Sequence, residues 1–198
     1  MKIQKIETAG ELLEERIESS AISPPKETPL HRAGEEILEM ALAYLSDGGT
    51  FLASGDEVNA LASYAYGLGW LDAGIYTGLV SCTGNTRFMT LKCDDEIPES
   101  LGGHLEEKTG RYRRMLDSAI RSVIPAPDTE SPVFAAAERI IDNAKIHYAM
   151  GWDYESGKKE GLSLSSALWH FSYGYGWLDA GVRTGILSIT GDRTLFTV

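Results

Sequence analysis

The sequence predicts an all-α (mainly) chain of two tandem three-helix units, each followed by a short β-strand. Three observations lead there. The stretch Tyr66–Gly84, YGLGWLDAGIYTGLVSCTG, returns as Tyr173–Gly191, YGYGWLDAGVRTGILSITG. Tyr66–Asn85 and Tyr173–Asp192 are identical at 13 of 20 positions, and self-similarity at a fixed offset marks a duplicated structural unit. Upstream the offset is 103 instead of 107, which places about four extra residues near Gly157–Gly161 of the second copy. Leu13 then falls on Leu116, Ile17 on Ile120, Pro29 on Pro132 and Ile37 on Ile140. Finally, apolar residues recur at helical spacing in both copies, punctuated by Pro, Ser, Thr, Asp and Gly at matching places. Each copy is about 90 residues, the size of one small domain and not of a short-period solenoid turn. The expected division is a first repeat with its strand at 1–92, a linker at 93–103, and a second repeat with its strand at 104–198.

Residues 2–20 read as the first helix, with Ile3, Ile6, Leu13 and Ile17 on one stripe and glutamates opposite. Pro24-Pro25 is expected to end it. Thr28-Pro29 opens the second helix, since Thr28 can cap and Pro29 suits the first helical position. Leu30, Ala33, Ile37, Met40, Ala41 and Tyr44 would line its buried face. Ser54-Gly55-Asp56 is a turn, and Asp56 caps a third helix over about 57–81, stopped by Thr83-Gly84-Asn85. Residues 87–91 read as a strand.

The second copy repeats the plan. Its first helix spans about 104–123, with Leu105, Tyr112, Leu116, Ile120 and Val123 facing in, and Pro125 and Pro127 break it. Ser131-Pro132 would cap a helix over about 132–155, and Gly157–Gly161 is the turn. The third helix runs about 162–188, and Leu195–Val198 is the closing strand. A lone strand is not viable, so the two strands are expected to pair with each other or with a second chain.

Composition narrows the function classes. The 198 residues are 43% apolar and 24% charged, which suits a packed core. Net charge is −11, with −10 in residues 1–100, and so acidic a surface argues against nucleic acid as a partner. The basic run Lys108, Arg111, Arg113, Arg114 and Arg121 matches an acidic run in the first copy, Glu7, Glu11, Glu14, Glu15 and Glu18. These are two solvated helix faces, or they face each other or a partner subunit. Cys82 and Cys93 form no CxxC and read as small apolar residues of a reducing, cytoplasmic protein. The charged N-terminus does not read as a signal peptide. Ala62–Thr83 carries a single charge, but four glycines and Asp72 argue against a membrane span, the aspartate alone costing about 2.5–3.5 kcal/mol at the bilayer centre.

The third helices carry the candidate site. Leu61, Ala65, Leu68, Asp72, Ile75 and Leu79 share one stripe, as do Leu168, Ser172, Tyr175, Asp179, Val182 and Ile186. A carboxylate on an apolar stripe must be hydrogen-bonded or paired. A tyrosine hydroxyl, the Trp70 or Trp177 indole, an arginine or a ligand could satisfy it. Gly67, Gly74 and Gly78, repeated at 174, 181 and 185, lie roughly along one face. Close approach of a neighbouring helix, or room for a ligand beside Trp70 or Trp177, would offset their helical cost of up to ~1 kcal/mol each. Tyr66 and Trp70 are four apart and can stack, as can Tyr173 and Trp177. The candidate binding residues are therefore Asp72, Asp179, Tyr66, Tyr173, Trp70 and Trp177.

Catalytic signatures are missing. GLGWLD and GYGWLD lack the third glycine and strand context of a dinucleotide loop. The sequence contains no GKS/GKT loop and no GxSxG, and His31, His104, His147 and His170 form no HxxxH or HExxH. None follows a glutamate at the di-iron spacing, so neither a metal nor a cofactor is expected. His170 opposes Ser63 of the first copy, which leaves room for a site specific to the second copy.

FLASGDEVNALASYAYGLGWLDAGIYTGLV resembles the archaeal family catalogued as Domain of Unknown Function 357. Ser54-Gly55-Asp56, Ala60, Tyr66, Gly69–Gly74 and Thr77-Gly78 carry the likeness, and Gly176–Gly181 with Thr184-Gly185 carry it again, although the second turn reads GKKEG. The resemblance implies a tandem duplication with a three-helix up-and-down bundle per copy. It implies no activity and carries over no catalytic residue.

Two functions follow as expectations. One is a non-enzymatic module for self-association or protein binding, in which two copies mimic a dimer within one chain. The other is a small-molecule or cation site, or an enzyme, where Asp72 and Asp179 meet across the two third helices and share a proton or bind a cation or amine. A tetratricopeptide-like scaffold fits poorly, because the period is far too long. The first two differ in whether the aspartates line a wet pocket or are sealed.

Overall fold

In the computed structural model, which describes residues 6–83, 97–157 and 164–197, the two repeats are joined where their third helices touch backbone to backbone. The first repeat comprises α1 (Ile6–Glu18), β1 (Ser20–Ile22), α2 (Pro29–Ala53), α3 (Glu57–Tyr76) and β2 (Val80–Cys82). The second comprises α4 (Gly102–Arg121), β3 (Val123–Pro125), α5 (Phe134–Glu155), α6 (Leu164–Arg183) and β4 (Leu187–Ile189). Short 3-10 turns lie at Glu99–Leu101 and Arg193–Leu195. The mainly helical fold expected from the sequence is thus present.

The helix starts follow from capping. The Thr28 side chain accepts from the His31 amide at 3.1 Å with Pro29 in the first turn, and Asp56 accepts from the Asn59 amide at 3.0 Å. Ser131-Pro132 does not cap α5, which begins two residues later at Phe134 without a side-chain cap. At the other end, α3 stops at Tyr76 and α6 at Arg183, each about five residues short of expectation. Gly78 and Gly185 explain this: at φ +73° and +74° they take the left-handed turn that closes a helix. Amides of the following residues, Leu79 and Ile186, return to the carbonyls of Gly74 and Gly181 at 3.0 and 2.9 Å.

The strands differ from expectation. Each repeat closes its own two-stranded antiparallel ribbon, Ser20↔Cys82 through Ile22↔Val80 in one and Val123↔Ile189 through Pro125↔Leu187 in the other. β1 and β3 start on the last residues read as first helix, Ser20 and Val123, and continue past the expected helix ends, so α1 ends at Glu18, two residues short of the expected end. The expected strand at 87–91 lies outside the described residues, as does Ile3. Of the strand expected over 195–198, the described residues 195–197 form none, and Leu195 closes a 3-10 turn. Gly102 and Gly103, expected in the linker, already belong to α4.

Both third helices are buried on every side: α3 from Ala60 to Gly74 and α6 from Ser165 to Val182. A helix apolar all round needs neighbours all round. α3 packs on α6, α2 and α1, and α6 on α3, α5 and α4. On α2, Ile37 and Ala41 face in as expected, but Leu30 is 60% exposed because it sits in the first turn, beyond the core. The expected glycine face divides by role: Gly67 meets Leu13 and Tyr44, Gly74 meets Ile37, and Gly78 lies in the closing turn. The closest approach uses other glycines. A Cβ on Gly69 would fall inside the Tyr173 carbonyl oxygen and 3.1 Å from Gly176 Cα, and one on Gly176 inside the Tyr66 carbonyl oxygen.

Gly69→Ala and Gly176→Ala should therefore each destabilise the chain by about 1–3 kcal/mol or more, because neither backbone can retreat. Gly49→Ala, mid-helix in α2 with nothing within 4 Å, should stabilise by up to ~1 kcal/mol. Chemical denaturation of the three variants tests the contrast, and equal effects would contradict the crossing.

Candidate functional site

Asp72 and Asp179 are both fully buried, at 0% exposure. Each accepts a hydrogen bond from the tyrosine of the opposite repeat. The Tyr173 hydroxyl donates to Asp72 Oδ2 at 2.5 Å, and the Tyr66 hydroxyl donates to Asp179 Oδ2 at 2.5 Å. The reach is short because Tyr66 and Tyr173 lie three residues before Gly69 and Gly176, where the helices cross. The two carboxylates are not bonded to each other; each has its own tyrosine.

The other oxygens are held differently. Asp72 Oδ1 accepts from the Arg16 guanidinium, itself only 2% exposed. Burial pulls the Arg16 pKa down, but the Asp72 charge and hydrogen bond outweigh it and hold the guanidinium charged. Burial raises the Asp72 carboxyl, opposed by Arg16 and then by Tyr173. The pair is ionised, since a guanidinium cannot give up its proton and would otherwise stand alone in the core. At the second site Ala119 holds the position of Arg16, and Asp179 Oδ1 accepts from the Thr197 amide at 3.0 Å while the Thr197 hydroxyl donates to Oδ2 at 2.6 Å. Burial is the first cause lifting the Tyr66 and Tyr173 hydroxyls well above their ordinary value, followed by the adjacent aspartate, so both remain neutral donors.

The tryptophans bond neither acid. Trp70 is fully buried, and its indole N–H finds no acceptor among the described residues. Trp177 packs on Tyr173 at 6.4 Å and on Tyr76 of the first repeat at 5.8 Å. Tyr66 meets Tyr44 at 4.5 Å and Tyr175 at 5.6 Å.

The sequence reading missed three participants. Arg16 is the one base within an acidic helix, but it continues the buried stripe Ala9–Leu13, and that was the available signal. Thr197 gave none. His147 pairs with His170, Nδ1 to Nδ1 at 2.9 Å, both buried, with Tyr173 over His147 at 4.4 Å and Tyr154 stacked on His170 at 5.3 Å. The matching residues of the first repeat are Tyr44 and Ser63, so this pair belongs to the second copy alone. Burial, and for His147 also the neighbouring His170, lowers the pair to about 3 for His147 and about 4 for His170.

The two charged runs are also placed. Glu7, Glu11, Glu14, Glu15 and Glu18 are exposed. The basic run is partly inside: Lys108 is buried and donates to Asn59 across the repeat boundary, and Arg113 pairs with Glu155 at 3.0 Å. Cys82 is half-buried beside Ser19, and Cys93 lies outside the described residues. No helix among the described residues is long and apolar enough to cross a membrane, and among them no three His, Cys, Asp or Glu side chains group as metal ligands.

A family model described as Protein of unknown function (DUF357) matches residues 10–80 and again residues 111–187. No curated protein and no solved structure matches the chain.

Asp72→Asn should cost about 3–5 kcal/mol, because it leaves the Arg16 charge buried and alone. Asp179→Asn should cost less, about 1–3 kcal/mol, because only neutral donors lose their acceptor. Urea unfolding of both variants decides the order. The histidines also set a pH dependence. Their folded pKa values lie below the unfolded value near 6.5, so the unfolded chain binds more protons as pH falls through that value toward 4. Stability is complete above about pH 7 and should fall by on the order of 4 kcal/mol at pH 5. Replacing them with the residues of the first repeat, His147→Tyr and His170→Ser, should flatten that decline in a pH series of thermal melts.

Proposed function

The chain belongs to the family described as Protein of unknown function (DUF357), once in each repeat, and from that premise we propose that it is a non-enzymatic self-association module whose two halves are fused in one chain. One observation carries the reading. The signature YGxGWLDAG is spent on joining the repeats: its tyrosine reaches the opposite aspartate, and its second glycine admits the opposite backbone. In the folded chain both acids are sealed at 0% exposure, and the protein's own groups donate to each of them. The crossing is reciprocal, residue for residue, as in an isologous dimer interface. At the rim Arg183 pairs with Glu36 at 2.7 Å across the boundary, a half-exposed bridge that adds at most about 1 kcal/mol but fixes orientation.

Produced together as separate polypeptides, residues 1–92 and 104–198 are expected to copurify one to one. The fused chain should sediment as a monomer, because its association surface is already occupied. Halves that fold separately, with native circular dichroism and no pairing, would overturn the reading.

A further inference from the structure

The two aspartate sites share one frame and differ in one component. In the first repeat a guanidinium occupies Asp72 Oδ1, while in the second a neutral backbone amide, that of Thr197, takes the same role at Asp179 Oδ1. We propose that Asp179 is a binding site for a guanidinium group, closed by a displaceable strap formed by residues Arg193–Thr197.

Three features support this. Asp179 is a fully buried carboxylate with no cationic partner among the described residues, and its donors are the Tyr66 hydroxyl and the Thr197 amide and hydroxyl. A charged donor forms a stronger hydrogen bond to a carboxylate than a neutral one does. The Tyr66 ring, whose hydroxyl holds the acid, begins a chain of rings, with Tyr44 on Tyr66 at 4.5 Å, Tyr66 on Tyr175 at 5.6 Å and Tyr175 on Tyr112 at 6.4 Å. Tyr112 and Tyr175 stand where the first repeat has Ala9 and Leu68, so the chain of rings is longer where the arginine is missing. Planar guanidinium stacks on aromatic rings and forks onto carboxylate oxygens. A lone carboxylate among neutral hydroxyls suits an organic cation better than a hard metal ion, which takes several oxygen ligands.

The cover is thin. Thr197 is exposed, yet it supplies two of the three bonds to a carboxylate of zero exposure. The strap is held by the buried Phe196 ring, by the Tyr175 hydroxyl donating to the Leu195 carbonyl, and by Arg183 Nη1 donating to the Thr197 carbonyl at 3.1 Å. A guanidinium entering at Oδ1 displaces the Thr197 amide and takes up the arrangement that Arg16 already has at Asp72. Because the closed strap competes, the wild type binds weakly, and loosening the strap tightens binding.

The test is titration of the full chain with agmatine, followed by amide and tyrosine-ring NMR and by calorimetry. Phe196→Ala is expected to bind about tenfold tighter than wild type. Adding Asp179→Asn should abolish binding, while Arg16 and its neighbours remain unshifted. Equal affinity of wild type and Phe196→Ala, or binding that survives Asp179→Asn, overturns the proposal. If Phe196→Ala fails to fold, the wild type decides: the Thr197 amide and Tyr66 ring must shift on titration, and no shift is a negative result. A blocked tripeptide centred on arginine separates the sources. Tighter binding of the tripeptide assigns a protein arginine, tighter binding of agmatine assigns a free guanidine, and an alkylamine binding as well as either contradicts guanidinium selectivity.

Discussion

The reciprocal tyrosine–aspartate bonds at the helix crossing are the constraint on which the rest of the molecule depends. Gly69 and Gly176 let two backbones touch. That contact brings Tyr66 and Tyr173 within reach of the opposite carboxylates. Satisfied carboxylates can then sit at zero exposure in the middle of helices that are buried on every side. The dependence also runs in reverse: without the opposite tyrosine each buried acid loses one of its donors, and the crossing of α3 and α6 loses the bonds that tie the two repeats together. The outer helices and ribbons follow, since α1, α2, α4 and α5 cover what the central pair leaves open.

Within that common frame the halves have diverged where their surroundings allow it. Arg16 neutralises one acid and Ala119 leaves the other to Thr197. Tyr44 and Ser63 in one half become a buried histidine pair in the other. Arg16 and Ala119 are both buried, so burial alone does not select between them. A fused pair can hold a residue once, whereas two identical subunits must hold it twice or not at all.

Much of the fold was legible in the sequence, because the repeat forces the same reading twice and because caps such as Thr28 and Asp56 act locally. The ribbons were not legible: Ser20–Ile22 is three residues long, and its partner follows some sixty residues later. The C-terminal ends of α3 and α6 were overextended because apolar residues continue past Gly78 and Gly185, where only the backbone turn changes. At the site, the aspartates and tyrosines were visible as acids and aromatics on an apolar stripe. Their pairing across repeats was not, since the tyrosine of one copy and the acid of the other are more than a hundred residues apart. Arg16 hid in a run of glutamates, where charge drew attention to the exposed face and away from the buried one. Gly69 was passed over because the neighbouring glycines lie on a more regular stripe.

The all-round burial of α3 bears on how the chain is made. Its last cover, α6, begins at Leu164, about ninety residues downstream of the end of α3. At a synthesis rate of roughly 5–20 residues per second, α3 spends several seconds with one side bare, including its sunken aspartate. The first repeat therefore leaves the ribosome as an unfinished half, dependent on its own successor for shelter. The chain must either fold late, as a unit, or be guarded meanwhile against pairing with the same half of another nascent copy.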